Sequence, residues 1–202
     1  MLRKLGPVLR GKPYDLVSIG YPGVVVRGKI VGNPPHLGKG WVGFDFKRAF
    51  RRPTRIVNDA AMQALGSYHG GRMLFLGLGT GLGAALVIDG ELEPMEIAHL
   101  PYKKGRTYED YVGEAARKKF GHKKWQKEVL NVTRLLTAAL EPEYIVMGGG
   151  NDRKLAVLPP LAERGDNRKA VVGGVRLWQT AEGSTTTGAR RTSRSTLRGR
   201  RR

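Results

Sequence analysis

The sequence predicts a mixed α/β fold in which short buried strands alternate with helices. Three apolar runs have the length and composition of buried strands, at residues 16–20, 73–76 and 144–147. A stripe at 3.6-residue spacing predicts an amphipathic helix with one face formed by Trp125, Val129, Val132, Leu136 and Ala139. The chain has 202 residues, 40% of them apolar, which is enough for one large domain or two small lobes with cores.

Shorter elements are expected between these strands. Residues 24–26 and 29–31 flank Arg27-Gly28, and two β-branched runs around such a pair predict a hairpin. Asp89-Gly90 predicts a second tight turn. The remaining predicted elements are a short helix at 44–50, a strand at 55–57, a helix at 60–68, a strand at 84–88 and a helix from Thr107 to near Gly121.

The formal net charge of +19 favours polyanionic partners, and it is unevenly distributed. Seven arginines follow the last acidic residue, Glu182, and removing these seven from +19 leaves +12 on the rest of the chain. The body is therefore basic by itself. We expect the segment after Trp178, rich in Ser, Thr, Gly and Arg, to be disordered and to bind nucleic acid only non-specifically.

The chain has no cysteine, which excludes disulfides and thiolate zinc sites and makes a reducing cytoplasm the simplest location. No apolar run approaches the length of a transmembrane helix, so no membrane partner is expected.

The glycine-dense loop at residues 78–83 is the best local indication of chemistry. Glycines let backbone N–H groups approach a phosphate, and Thr80 adds a hydroxyl. The spacing of Gly79, Gly81 and Ala84 also fits a dinucleotide-binding turn, but that turn needs a following helix, whereas residues 84–88 predict a strand. A strand, glycine turn and strand is typical of the phosphate hairpin of actin-like ATPases. An ordinary hairpin with a glycine bend is the alternative.

Two pairs of polar residues are candidates for substrate contacts. Asn58-Asp59 follows a predicted strand, where a carboxylate can take a proton from an attacking hydroxyl and an amide can fix its direction. Glu96 and His99 lie beyond the hairpin, and carboxylate with imidazole suits hydrogen bonding to sugar hydroxyls. The structural alternatives are a helix cap for the first pair and a surface pair for the second.

Two further features have both a functional and a structural interpretation. Gly148-Gly149-Gly150 follows a buried strand, and bare backbone there lets an adenine ring or ribose lie close, although a simple turn is the alternative. A cationic stretch suits a polyphosphate chain or is only a solvated helix face, and it comprises Lys103, Lys104, Arg106, Lys118, Lys119, Lys123, Lys124 and Lys127.

Several short motifs follow one another in a specific order along the chain. They are Ile19-Gly20-Tyr21-Pro22-Gly23, Gly40-Trp41, Asn58-Asp59-Ala60-Ala61, residues 75–83, Asp89-Gly90-Glu91-Leu92, residues 96–100 and Gly148-Gly149-Gly150-Asn151. In this order they resemble the ROK sugar kinases, and most of all the polyphosphate glucokinase branch. The resemblance covers about residues 14–178.

This resemblance implies an actin-like (ribonuclease H-like) fold of two lobes with the active site in the cleft between them. It implies a general base at Asp59. It also implies the remaining contacts: sugar binding by Asn58, Glu96, His99 and Gly23, phosphate binding by Gly79, Thr80 and Gly81, and nucleotide binding by Gly148, Gly149 and Gly150.

The implied reaction is phosphoryl transfer to glucose or a similar hexose. The donor is polyphosphate or ATP with Mg²⁺, and a homodimer is one assembly that the family suggests. No metal ligand is assigned among the side chains. Many ROK proteins carry a cysteine-rich zinc motif after a Glu-x-Gly-His segment, and this chain, with Ala98 and no cysteine, matches the zinc-free branch.

The chain also departs from the family pattern. An Asp-x-Gly-Gly-Thr turn for phosphate and metal is absent before Pro13, so we expect an incomplete N-terminal lobe and no detectable glucokinase activity in the chain as printed. His36-Leu37-Gly38 stands where an Asn-Leu-Gly segment is expected near the sugar.

The expected organisation is a remnant of the N-terminal lobe at 1–71, a C-terminal lobe with the second phosphate loop at 72–180, and a disordered basic tail at 181–202. Two alternatives to a kinase stay open: a non-catalytic sugar- or polyanion-binding relative, and a nucleic-acid-binding protein acting through the tail.

Overall fold

The computed structural model describes residues 13–34 and 37–179, so His36 and the predicted tail lie outside the described residues. The elements in chain order are β1 (Val17–Tyr21), β2 (Val25–Val26), β3 (Lys29–Ile30), α1 (Phe46–Phe50), β4 (Thr54–Asn58), α2 (Asp59–Ser67), β5 (Arg72–Leu78), β6 (Leu82–Ile88), β7 (Glu91–Met95), α3 (Glu109–Val112), α4 (Glu114–Phe120), α5 (His122–Leu140), β8 (Tyr144–Gly148), a 3₁₀ turn (Asp152–Lys154), β9 (Ala162–Arg164) and α6 (Lys169–Gln179).

The first sheet consists of β1 and β4, which run parallel in register from Val17 opposite Thr54 to Tyr21 opposite Asn58. Both strands therefore end at the same edge, where Pro22-Gly23 and Asp59 follow. The predicted hairpin is confirmed: β2 and β3 are antiparallel, and Arg27 and Gly28 between them both have positive φ, as a tight turn with this twist requires.

The second sheet has five strands in the order β7-β6-β5-β8-β9. The strand, glycine loop and strand predicted around residues 78–83 are confirmed, because β5 and β6 are antiparallel and join directly through that loop. The predicted buried strand at 144–147 is β8, which runs parallel to β5, so Leu78 and Gly148 end at the same edge. Connections at the carboxyl ends of parallel strands are where α/β proteins place ligands.

Helices cover both faces of this sheet. On one face α3, α4 and α5 pack around Trp125, which is fully buried and donates its indole N–H to the carbonyl of Val112 at 2.7 Å. On the other face the small residues of α2, led by Ala61 and Ala64, lie against Phe75. Because α2 begins at Asp59, this packing fixes the position of that carboxylate relative to the second sheet.

Helix α6 returns to pack on α2 and β1. Gly66 and Gly173 allow the two helix backbones to touch, since a Cβ at either glycine would overlap a backbone carbonyl of the other helix. The guanidinium of Arg176 donates to the carbonyls of Leu65 and Tyr68, which the end of α2 leaves free. Residues 169–179 therefore contact elements before residue 72, and the predicted lobe boundary at 71/72 stays a prediction.

One predicted helix is wrong in its extent. The helix expected from Thr107 to near Gly121 is two helices, α3 and α4, separated at Gly113, where ψ is 170° and the backbone is extended. The interruption has a packing cause: Gly113 lies so close to the glycine loop that a Cβ there would come within 2.9 Å of the carbonyl oxygen of Thr80. Across residues 13–34 and 37–179, no helix has the length and apolar character needed to span a bilayer.

Candidate functional site

A cleft of about 560 Å³ lies where the carboxyl ends of β1, β4 and β5 face one another. Most of the residues predicted as a site line it together, although they are scattered along the sequence. The lining members of the predicted set are Gly23, Asn58, Asp59, Gly79, Thr80, Gly81, Glu96, His99 and Gly149.

Asn58 is the N-cap of α2, as the structural alternative expected, and it also lines the cleft. Its Oδ1 accepts hydrogen bonds from the N–H groups of Ala60 and Ala61 at 2.9 and 3.3 Å. Its Nδ2 donates to the carbonyl of Gly23 at 3.1 Å, tying the β1 turn to the start of α2. An amide nitrogen carries two hydrogens, so one N–H of Asn58 is left for a ligand in the cleft.

Asp59 is exposed toward the cleft, while the walls of the cleft surround its carboxyl group. Burial raises the pKa of this carboxyl above its ordinary value, and hydrogen bonds from the N–H groups of Ala60 and of Asp59 itself act in the opposite direction. A carboxylate with a raised pKa is a stronger base than an ordinary aspartate, which suits proton abstraction from a hydroxyl.

The glycine loop turns its carbonyl groups away from the cleft. The carbonyls of Gly79 and Thr80 accept from the N–H of Glu114, at 3.1 and 3.3 Å, behind the loop. In a trans peptide the C=O and the next N–H point in opposite directions, so the N–H groups of Thr80 and Gly81 point toward the cleft. Within the described residues neither N–H donates a hydrogen bond, which leaves two donors for an anion.

Asn151 holds the same loop from a second side. Its N–H donates to the carbonyl of Leu78 at 2.9 Å, and its Nδ2 donates to the carbonyl of Gly79 at 3.1 Å. Its Oδ1 accepts from Lys154 Nζ at 2.7 Å, so the buried amide is satisfied. Bonds from the segment after β8 and from the start of α4 thus hold the loop from two sides.

Glu109 lies against the loop and was missed by sequence reasoning. Its Oε2 accepts from the N–H of Leu82 at 3.2 Å, and it occupies the space that a Cβ on Gly81 would fill. The two residues that share this hydrogen bond are 27 positions apart, so the short motifs gave no indication of it.

Glu96 and His99 lie on the far side of the cleft, with Oε1 and Nε2 separated by 3.7 Å. Both side chains are exposed, and both line the cleft. The segment that carries them is anchored below by Glu128 of α5, which accepts from the hydroxyl of Tyr102 at 2.8 Å and from Lys103 Nζ at 2.7 Å. Burial raises the pKa of Glu128, but the bonds from Lys103 and Tyr102 outweigh it and leave that pKa below its ordinary value.

We expect Glu128→Gln to lower the free energy of unfolding by about 1 kcal/mol at neutral pH, because Lys103 loses a charged partner while remaining partly solvated. A carboxyl whose pKa is lowered by folding stabilises the protein above its unfolded-state pKa, and this contribution disappears as the pH falls through the folded-state pKa. Urea denaturation of both proteins should therefore give a difference at neutral pH that vanishes in acid. Glu93→Gln, at an exposed strand residue, is the matched control and should leave the free energy of unfolding unchanged both at neutral pH and in acid.

The three glycines after β8 have different environments. Gly148 is buried against the ring of Phe75 and does not line the cleft. Gly149 lines the cleft and has a φ of +84°, and its closeness to Leu78 leaves no room for a side chain. Gly150 is exposed and lines a second cavity of about 320 Å³, which Gly149 also lines. The two cavities therefore meet at Gly149.

The residues present suit phosphate better than a metal ion held by the protein alone. The loop offers two free N–H groups, and a Cβ built at Gly79 would meet nothing within 4 Å, so a ligand has room to approach. In residues 13–34 and 37–179, no three acidic or histidine side chains converge as ligands of a metal ion. Mg²⁺ is commonly held by one or two carboxylates plus the substrate's phosphates.

Comparison with known proteins identifies relatives of the chain. No model of a known protein family matches it. It is 30% identical over 171 residues to the polyphosphate glucokinase of Mycobacterium tuberculosis (strain H37Ra), a match that covers 77% of this chain and 63% of that protein. The polyphosphate glucokinase of Mycobacterium leprae is 28% identical over 162 residues, covering 73% and 49%. The chain thus spans less than two thirds of the length of these relatives.

Several solved structures with the same fold are sugar kinases. The polyphosphate/ATP-glucomannokinase of Arthrobacter sp. strain KM superposes with a TM-score of 0.71 at 22% identity, covering 90% of this chain and 79% of that one. A ROK family glucokinase from Streptomyces griseus, in complex with glucose and AMPPNP, gives a TM-score of 0.69 at 14% identity, covering 86% and 84%. The chain therefore has the actin-like fold of the ROK sugar kinases, and its sequence is similar to those of polyphosphate glucokinases.

Proposed function

We propose that the chain supplies the general base and a phosphate loop for phosphoryl transfer from polyphosphate or ATP to a hexose, with glucose as the first candidate. One observation carries this: a desolvated carboxylate, Asp59, lines the same cleft as a loop with two free N–H donors, at Thr80 and Gly81. The names of the relatives, which are polyphosphate glucokinases and a polyphosphate/ATP-glucomannokinase, support the same reaction.

In this proposal each group has one role. Asp59 accepts the proton of the sugar hydroxyl while that oxygen attacks the terminal phosphorus, and the leaving group is ADP or a polyphosphate shortened by one unit. The Thr80 and Gly81 N–H groups bind the oxygens of the transferred phosphoryl, and Gly79 lets them approach. When bound together with the donor, Mg²⁺ would supply positive charge that neutralises the donor's phosphates.

The sugar is held by the remaining polar groups of the cleft. The free N–H of Asn58 donates to a hydroxyl, and Glu96 with His99 accepts and donates on the opposite side. Gly23 has no side chain, so the sugar can approach its backbone closely. Its carbonyl also accepts a hydrogen bond from the Asn58 amide and so orients that side chain. Gly149 and Gly150 border the space for a nucleoside, with Gly148 buried beneath them.

The test is glucose-dependent formation of glucose 6-phosphate with ATP and with polyphosphate, each with Mg²⁺. It is run on the chain itself and on a chain joined to the first phosphate-binding hairpin of a polyphosphate glucokinase. Turnover in the joined chain supports the kinase. Sugar or polyphosphate binding without turnover in both chains supports the alternative, a non-catalytic sugar- or polyanion-binding relative. A homodimer and a cytoplasmic location stay predictions, to be tested by sedimentation and by fractionation.

The proposed base also sets a pH dependence. Asp59 must be ionised to accept a proton, so kcat/KM is expected to be lost as the pH falls through its pKa. Because burial raises that pKa, the acid limb should lie above 3.8, the ordinary value for aspartate. A pH series of kcat/KM for glucose, recorded with the chain joined to the phosphate-binding hairpin, measures this limb. A limb at or below the ordinary value would contradict the assignment of Asp59 as a desolvated base.

A further inference from the structure

The charge of the cleft is opposite in sign to that of the chain. Three carboxylates line the cleft, those of Asp59, Glu96 and Glu109, and its lining residues within the described ranges include no lysine or arginine. The chain as a whole carries a formal net charge of +19. A phosphate donor that enters the cleft therefore meets negative side chains beside the backbone N–H groups that are proposed to bind it.

Glu109 is the carboxylate that touches the glycine loop. Its Oε2 accepts a hydrogen bond from the N–H of Leu82 at 3.2 Å. A Cβ built on Gly81 would overlap that oxygen and come within 2.9 Å of the carboxyl carbon. Gly81 supplies one of the two free N–H groups of the loop, so a phosphate oxygen held by that N–H lies close to the Glu109 carboxylate.

Backbone bonds on both sides fix the position of Glu109. Its own N–H donates to the carbonyl of Ala98 at 3.0 Å, and its carbonyl accepts from the N–H of Gly113 at 2.9 Å. The side chain is half-buried, so water screens its charge only in part. Glu109 is a member of none of the ion pairs formed among the described residues, so no neighbouring side chain neutralises it.

A fixed negative charge beside an anion site favours ligands whose own charge has been neutralised. Free ATP or polyphosphate carries several negative charges and is repelled by the carboxylate. The magnesium complex of either donor is less negative, and it contains a cation that a carboxylate attracts. Glu109 therefore disfavours the free polyanion more than the metal complex.

We propose that Glu109 is a specificity-determining residue of the glycine loop, and that it makes the loop select the magnesium complex of a phosphate donor over the free polyanion. This inference rests on the proposed function, because it takes the loop to bind the donor's phosphates. Glu109 acts here through its charge and takes up no proton from the sugar.

The experiment measures binding of inorganic tripolyphosphate, so it needs no turnover. Tripolyphosphate is titrated into the full chain by calorimetry, once with excess Mg²⁺ and once with a chelator, at a salt concentration that screens exposed charges. We expect the wild-type chain to bind the magnesium complex at least about tenfold more tightly, as repulsion by one partly screened charge predicts. Glu109→Gln should bind the free polyanion about tenfold more tightly than the wild type and so lose most of this preference.

The choice of variants separates charge from structure. Glutamine has the shape of glutamate and can still accept the N–H of Leu82, so a purely structural role of Glu109 predicts no change in the preference. Glu109→Ala removes the acceptor together with the charge and should bind both forms more weakly than Glu109→Gln. Glu91→Gln, at an exposed residue of β7 that does not line the cleft, is the matched control and should leave both affinities unchanged.

Several outcomes would overturn the inference. Equal affinity of the wild-type chain for tripolyphosphate with and without Mg²⁺ would do so, and this comparison needs no variant. An unchanged preference in Glu109→Gln, with an unchanged thermal midpoint, would do so as well. Tighter binding of the free polyanion by both proteins would place tripolyphosphate on exposed lysines and would also overturn it.

The kinase proposal is judged separately. The expected affinities without turnover in the joined chain would count against the kinase alone. Turnover in the joined chain, with an unchanged preference in Glu109→Gln, would count against this inference alone.

Discussion

Asp59→Asn, introduced into the chain joined to the phosphate-binding hairpin, is expected to lower glucose phosphorylation by on the order of a hundred- to ten-thousand-fold, with little change in glucose affinity. Asparagine keeps the shape of the side chain and can still accept a hydrogen bond, so the sugar should bind nearly as before. It cannot take up the proton that the attacking hydroxyl must lose. Turnover measured by a coupled assay should therefore fall, and glucose affinity measured by calorimetry should not.

Two comparisons define this result. Asp15→Asn alters an exposed carboxylate before β1 that does not line the cleft, and it should leave turnover unchanged. Asp59 also accepts the N–H of Ala60 at 2.8 Å at the start of α2, so the thermal midpoint of Asp59→Asn must be measured alongside. Turnover within a fewfold of the wild-type value would remove Asp59 as the base.

Gly173→Ala is expected to destabilise the protein by about 3 kcal/mol or more, although alanine favours helices. A Cβ at Gly173 would overlap the carbonyl oxygen of Met62, which is backbone and cannot rotate away as a side chain can. The two helices must therefore separate. Gly66→Ala should act similarly from the other helix, because its Cβ would overlap the carbonyl of Lys169.

Urea denaturation of each variant measures the loss. Gly32→Ala is the matched control, since a Cβ at Gly32 would meet nothing within 4 Å. A loss below about 1 kcal/mol in both Gly66→Ala and Gly173→Ala would show that α6 does not pack tightly on α2. Because Asp59 begins α2, glucose binding is also expected to weaken in these two variants.

The sequence was enough to predict the secondary-structure elements that follow from short, local residue patterns. Glycines at 79, 81 and 83 between two apolar runs require a bend, and β5, the loop and β6 form as expected. The stripe that begins at Trp125 predicted α5, where one buried face is enough to define a helix. Asn58 shows why function is harder to predict than secondary structure. Its amide oxygen caps α2, while its amide nitrogen keeps an N–H for a ligand, so the cap and the predicted ligand contact are compatible.

The missed features depend on contacts between distant parts of the chain. Nothing near Glu109 indicates that its carboxylate will lie on Gly81, because the contact exists only after α3 packs behind the loop. Asn151 follows three glycines and looks like a turn residue, yet its bonds to residues 78 and 79 make it part of the loop. The break at Gly113 has the same origin, since it is imposed by the carbonyl of Thr80 rather than by helix propensity.

The return of α6 to β1 has a consequence for synthesis on the ribosome. Ser18 of β1 donates to the carbonyl of Gly174 at 2.6 Å and accepts from the indole of Trp178 at 2.9 Å, so β1 meets partners that are synthesised 156 and 160 residues later. The nascent chain can assemble the five-stranded sheet once residue 164 has emerged, but β1, β4 and α2 lack their covering helix until residues 169–179 follow. During that interval the side of β1 that α6 later covers is exposed, and the unfinished chain is open to wrong contacts there.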